Sequence, residues 1–158
     1  LMDVGCYAVN AARTFLGEPD RVFGTVHDSR DSGVETHASG IFEYDDGARA
    51  RISSSFDTQD IQRYRIEAED GYLVAEGAFV PRGEEGVRIE YEVNGRHVVE
   101  EFDPTDQYRL EVEHFADCVA TGTTPRTDGK EAVRNMRVID ALYESADRGE
   151  AVAVSDEP

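Results

Sequence analysis

The sequence predicts an α+β fold: an open, mostly antiparallel β-sheet with helices packed on one face and the other face available for subunit pairing. Three observations predict it. Apolar residues recur at helical spacing near both ends of the chain, the middle alternates with period two, and three tight-turn signals in succession cut that middle into hairpins. A chain of 158 residues fits one domain, large enough for a core without disulfides or a structural metal.

The elements follow in order. Residues 3–16 carry Val4, Tyr7, Ala8, Ala11, Ala12 and Phe15 on a helical period, and Gly17 with Pro19 supplies the stop. A first strand spans 21–28 and leads into a polar loop, 29–33. Asp45-Asp46-Gly47 then turns the chain between strands 41–44 and 48–56, Asp70-Gly71 between 64–68 and 72–75, and Asn94-Gly95 between 87–93 and 96–102. Arg49, Arg51 and Ser53 alternate with Ala50, Ile52 and Ser54, as in a sheet wet on one side. After Pro104 the helical period returns. Thr105 or Asp106 caps a helix to Ala120 with Leu110, Phe115 and Val119 inward and Gly122 as terminator; Asp128 caps a second, 129–148, with Val133, Met136, Ile139, Ala141, Leu142 and Tyr143 apolar, ending at Gly149. A short strand, 151–154, closes the chain before an acidic tail. Tyr64, Ile66, Val74, Ile89, Tyr91 and Val93 are more apolar than a solvated face needs, so they form either the helix-facing core or a face that pairs with another subunit.

Charge excludes some function classes. With 34 acidic against 16 basic residues the formal charge is -18, a field that repels nucleic-acid backbones and anionic membranes. Lys130 is the single lysine. An acid-rich, lysine-poor surface suits a salt-rich, haloarchaeal type of cytosol, where screening shortens the Debye length to about 3 Å at 1 M salt; a merely acidic mesophilic protein is the alternative. No stretch approaches the roughly 18 apolar residues of a membrane helix, and no cleavable targeting segment is visible, so a cytoplasmic location is expected. The chain opens inside a helical pattern and reads as part of a longer protein. Cys6 and Cys118 sit singly in apolar helical stretches, as small hydrophobes rather than metal ligands or disulfide partners. His27, His37, His97 and His114 are scattered without ligand spacing, so no metal is expected.

The strongest site candidate lies in the first helix. Asp3-Val4-Gly5-Cys6-Tyr7 puts an acid and a phenol four residues apart on one face, with a glycine between them that lets a backbone or a ligand approach. Glycine in a first helical turn costs up to about 1 kcal/mol against alanine, which points to a packing or ligand reason. The structural alternative makes Asp3 a helix cap or a first-turn acid complementing the helix dipole, and Tyr7 a core residue. Asn10 and Arg13 follow one and two turns on, placed to reach a substrate or to pair with acids at the surface, and surface pairing is the expectation for Arg13.

The stretch LMDVGCYAVNAARTFLGEP resembles the start of the C-terminal domain of the Gfo/Idh/MocA oxidoreductases, whose D-x-G-x-(H/Y) motif reads here Asp3-x-Gly5-x-Tyr7. This is the tyrosine version found in glucose-fructose oxidoreductase and in aldose- and dihydrodiol-dehydrogenase-type members. The resemblance continues through ARISSSFDT, RYRIEAEDGYLVAEGAF, QYRLEVEHFADCVATG and VIDALYESADRGEAVAV, in order and across nearly the whole chain. It implies that 1–158 is a substrate-binding and oligomerisation domain, and that a Rossmann domain outside this sequence holds NAD or NADP. Hydride would pass between nicotinamide and a sugar or polyol carbinol, with the chain inert by itself and binding no cofactor alone. It further implies Tyr7 as the catalytic proton acceptor or donor, assisted by a lysine from an E-K-P motif not present here, with Asp3 and Asn10 binding substrate and Gln107 and Tyr108 near the nicotinamide. A homo-oligomer, dimer or tetramer, through the open sheet face is implied as well. The alternative from another class is a non-catalytic oligomerisation domain, since relatives of an enzyme can lose chemistry and keep an interface. No G-x-G-x-x-G phosphate loop occurs in the chain.

Overall fold

The structure is a computed structural model that describes residues 1–80 and 86–155. Eleven elements are described: α1 (Gly5–Leu16), β1 (Arg21–His27), β2 (His37–Glu43), β3 (Arg49–Ser55), β4 (Arg63–Ala68), β5 (Gly71–Glu76), β6 (Val87–Val93), β7 (Arg96–Phe102), α2 (Gln107–Thr121), α3 (Gly129–Arg148) and β8 (Val152–Ala153). The α+β class and the antiparallel pairing are as the sequence predicts. The strands, however, form two four-stranded sheets rather than one, ordered β3-β2-β1-β8 and β4-β5-β6-β7. The reason is local: tight turns join β2 to β3, β4 to β5 and β6 to β7, but the 56–62 connector between β3 and β4 has no turn signal and the two strands do not pair. The expected acidic tail beyond Ser155 lies outside the described residues.

The chain divides into two compact units, Leu1–Thr58 with Arg126–Pro158, and Gln59–Pro125. In the first, register puts Val22, Phe42 and Ala50 in one row and Gly24, Gly40 and Ile52 in the next, all on one sheet face. That face is covered by α1 and α3. Its core comprises Val9, Val22, Ala38, Phe42, Tyr44, Val138, Ile139, Ala141, Leu142 and Val152, together with Leu1. Burying a Phe, Leu or Ile side chain contributes about 1.5–3 kcal/mol, so Phe42, Ile139 and Leu142, all within 2% of complete burial, anchor the unit.

Glycine sets how closely α3 approaches. A Cβ on Gly24 would stand 2.4 Å from the Leu142 carbonyl oxygen, so β1 and α3 meet backbone to backbone. Gly24 N–H donates to Ser145 Oγ at 2.9 Å, and that hydroxyl donates onward to the Glu150 carbonyl, which accounts for a fully buried serine in an apolar layer. Asp128 caps α3 by accepting the Glu131 N–H, and Gly149 ends it in the left-handed region at φ 69°.

Two helical faces differ from expectation. In α1 the buried residues are Gly5, Val9 and Arg13, whereas Val4, Tyr7 and Phe15 are exposed. The apolar stripe read from the sequence is therefore not the packed face, because Gly5 lets the helix close on Leu1 and on Ser54 of β3. Likewise Val133 of α3 is exposed while Val138, Ile139, Ala141 and Leu142 are buried.

The second unit holds β4–β7 and α2. Tyr64, Ala75 and Ile89 share a row, as do Ile66, Leu73, Tyr91 and Val98, and both rows lie on one face. Val74 pairs with Arg65 and Glu90 and belongs to the opposite face, which separates it from the apolar set it was grouped with. That opposite face is charged: Glu90 accepts from Arg88 at 2.8 Å and from the Tyr72 hydroxyl at 3.3 Å, and Arg65 lies 5.0 Å over the Tyr72 ring. Asp106 caps α2 and Gly122 ends it, both as predicted. Leu110, Phe115 and Val119 do not point inward: Phe115 is 59% and Val119 70% exposed, and Cys118 is the one buried residue of the helix. The apolar spacing marks a stripe along α2, but no element among the described residues covers it.

Candidate functional site

The start of α1 is built by an unusual cap. The N-cap position is Val4, and no side-chain hydrogen bond caps the first turn. Asp3 precedes it in a turn; its carboxylate is exposed and its carbonyl accepts from the Cys6 thiol at 3.3 Å. Tyr7 is 42% exposed. The cap-and-core alternative for this pair is thus not what the chain does: the acid does not cap, and the phenol is not core. Gly5 has a packing reason, since a Cβ there would lie 2.6 Å from Leu1 Cδ1 and 2.8 Å from Ser54 Oγ. Burial pushes the Cys6 thiol above its ordinary pKa, so it stays a protonated, half-buried filler.

Arg13 departs most from expectation. It is not a surface pair but a buried cation, 6% exposed. Nε and Nη2 donate to the two Glu18 carboxylate oxygens at 2.8 and 2.7 Å, Nη1 and Nη2 to the two of Glu131 at 2.6 and 3.1 Å, and Nη1 also to Asn135 Oδ1 at 3.0 Å. All five guanidinium donors are used. Glu131 is equally full, accepting in addition from Asn10 Nδ2 and from Arg134 Nη2, both at 3.1 Å. Hydrogen bonds donated to Glu18 hold the guanidinium in its charged form, with those to Glu131 adding to them, and Arg13 holds the Glu131 carboxyl below its ordinary value. Asn10 therefore joins α1 to α3 through its amide, and Asn135 Nδ2 returns to the Cys6 carbonyl at 3.3 Å. Beside this network Tyr44, 6% exposed, has a hydroxyl without a hydrogen-bond partner among the described residues, and burial pushes its phenol up to about 12.

The sequence reading missed Glu18, Glu131 and Asn135. Asp128-x-x-Glu131 has the spacing of a capping box, which disguised a residue that spends its carboxylate on another helix. The other predicted residues lie in the second unit: Gln107, half-buried, and Tyr108, exposed, are the first two residues of α2. An open depression of about 550 Å³ in that unit is bordered by Arg65, Glu67, Asp70, Tyr72, Glu92 and Asn94 and contains none of the predicted site residues. Among the described residues no three His, Cys, Asp or Glu side chains are grouped to hold a metal ion, and no helix is long and apolar enough to cross a membrane. His114 Nε2 lies 3.6 Å from Cys118 Sγ within α2. Lys130, in the first turn of α3, is exposed and outside the Arg13 network.

The profile of the GFO/IDH/MocA C-terminal domain matches residues 1–74, which contain the whole Asp3-x-Gly5-x-Tyr7 segment. Over 152 residues the chain is 57% identical to the D-xylose 1-dehydrogenase (NADP(+)) 2 of Haloferax volcanii, a match that takes in 96% of this chain and 47% of that protein. The chain belongs to the Gfo/Idh/MocA family. A second relative, the D-xylose 1-dehydrogenase [NADP(+)] of Haloarcula marismortui, is 26% identical over 93% of this chain and 41% of its own length. Among solved structures, the aldose-aldose oxidoreductase of Caulobacter crescentus, crystallised with glycerol, superposes with a TM-score of 0.84 at 28% identity, over 97% of this chain and 47% of that one. The chain thus spans about half the length of the curated relatives it matches, and that half is the family's C-terminal domain.

Proposed function

We propose that this chain is the substrate-side half of an NAD(P)-dependent oxidoreductase that moves a hydride between nicotinamide and a sugar or polyol carbinol. The observation that carries the reading is the exposed Asp3 and Tyr7 at the start of α1, neither consumed by capping or by the core. The names of the two haloarchaeal relatives support an aldose as substrate and NADP as nucleotide.

Oxidising a carbinol removes a hydride from carbon and a proton from its oxygen. A bound nicotinamide dinucleotide supplies the hydride acceptor. The N-termini of α2 and α3 are each capped by an aspartate of their own, and no glycine-rich phosphate loop occurs in the sequence. Gln107 and Tyr108 are the side chains of this chain proposed to border the nicotinamide. Tyr7 Oη takes the hydroxyl proton, or returns it in the reverse direction. A phenol of ordinary pKa near 10 is a weak base at neutral pH, so a cation from the rest of the protein has to stand beside it. Asp3 accepts from a substrate hydroxyl or orients the phenol. Asn10, whose amide nitrogen donates one hydrogen bond to Glu131, is left with its side-chain oxygen and its second amide N–H to offer a substrate.

The apolar face of β4–β7, with Tyr64, Ile66, Ile89 and Tyr91, is proposed to pair with a second copy of the chain, since the opposite face is charged and solvated. Substituting Ile66→Arg in the full-length protein is expected to lower its mass in sedimentation equilibrium; an unchanged mass removes this face from the assembly. For the activity, cofactor reduction by the full-length protein in molar salt across aldoses and cyclitols is expected to select one substrate class. Silence on all of them, with assembly intact, favours a non-catalytic oligomerisation domain instead.

A further inference from the structure

We infer that Arg13 and Glu131 form a positioning clamp that fixes where Tyr7 stands, and that they act on the reaction through Tyr7 without touching substrate. The inference rests on the proposed role of Tyr7 and goes beyond it.

The argument is geometric. Tyr7 is exposed and no side chain caps the start of its helix, so the backbone that carries it is placed by what grips α1. Three residues of the helix are held by α3 or its neighbours: the Cys6 carbonyl by Asn135, the Asn10 amide by Glu131, and Arg13 by Glu131, Asn135 and Glu18. Positions 6, 10 and 13 recur at i, i+4 and i+7 and therefore lie along one face, and Tyr7 follows the first of them on the same turn, off that face and exposed. The grip is rigid for a stated reason: five donors meet on Arg13 and four acceptor bonds on Glu131, so neither side chain can rotate without breaking a charged hydrogen bond. Glu131 is itself fixed, its backbone N–H donating to the Asp128 cap at 2.9 Å. A surface ion pair would not do this, because exposed pairs are worth little and move freely; here the Arg13 side chain is 3% exposed. A misplacement of about 1 Å can cost on the order of 100-fold in rate, so a clamp of this kind is worth a burial that a tyrosine on a floppy turn would not repay.

The test uses the full-length protein carrying Arg13→Lys, Glu131→Gln and Tyr7→Phe, singly and with Tyr7→Phe added to each of the first two. Lysine keeps the charge but loses the planar fork, and glutamine keeps the shape but loses the charge, so the two loosen the clamp in different ways, and a thermal melt of each shows which variants are folded. The expected result is a fall in kcat of about tenfold or more for Arg13→Lys with the KM for nucleotide unchanged. In the Tyr7→Phe background the same substitution is expected to cost less than twofold, and the pH profile of kcat moves in Glu131→Gln. If the clamp variants lower only the melting temperature, or cost the same kcat with and without Tyr7, the clamp is a structural staple and the inference is overturned. If instead Tyr7→Phe by itself leaves kcat intact, the proposed role of Tyr7 fails and the clamp's role in catalysis fails with it, an outcome recognisable because the clamp variants are then not involved.

Discussion

The two units use the same kinds of residue to opposite ends. In the first, a sheet face of Val22, Phe42 and Ala50 meets two helices, and the apolar set closes on itself. In the second, an equally apolar row, Ile66, Leu73, Tyr91 and Val98, is only half-buried, and a helix carries Phe115 and Val119 exposed. Composition and periodicity are alike in both. What differs is whether the covering layer is part of the described chain, and this teaches that an amphipathic pattern reports that a face is to be covered, not by what.

That contrast can be broken by mutation. The largest effect is expected from Phe42→Ala in the closed unit, a loss of about 3–5 kcal/mol by urea unfolding, because the cavity cannot collapse between sheet and helices. A loss below about 1 kcal/mol would mean that this core is no better packed than the open one. Gly24→Ala follows at about 1–3 kcal/mol, since the new methyl meets the Leu142 carbonyl rather than a side chain able to yield. In the open unit Val119→Ser should change the stability of this chain by no more than about 0.5 kcal/mol; a large loss would show the α2 stripe already covered.

A pH experiment sharpens the same comparison. Glu131 has its carboxyl pKa lowered by Arg13, so the stabilisation it gives is fully present above the unfolded value near 4.5 and disappears as pH falls through the lower folded value. Thermal melts taken from pH 6 down to pH 3 should lose stability below about 4.5, and Glu131→Gln should flatten that limb. An unaltered acid limb in the variant would assign the loss to other carboxylates.

Much of this was legible in the residues. Asp106, Asp128, Gly122 and Gly149 marked the ends of α2 and α3, and Asn94-Gly95, with φ 52° and 74°, marked the hairpin of β6 and β7, because caps and tight turns are local chemistry. The roles proposed for Asp3 and Tyr7 rest on the motif's resemblance to the family's; the structure adds that both residues are exposed at the start of α1. Arg13 was misjudged because its burial depends on Glu131 and Asn135, more than a hundred residues away, and no spacing rule spans that distance. The division into two sheets was hidden similarly: the missing pairing of β3 with β4 leaves no signal of its own in the 56–62 connector.

The most direct test of the account is cofactor reduction by the full-length protein with Tyr7→Phe beside the unaltered enzyme, in molar salt, on the aldose that the panel selects. The account predicts that turnover falls by at least about 100-fold while nucleotide binding and the melting temperature are kept. Turnover within a factor of about two of the unaltered enzyme would contradict it, and would move the proton transfer to another residue.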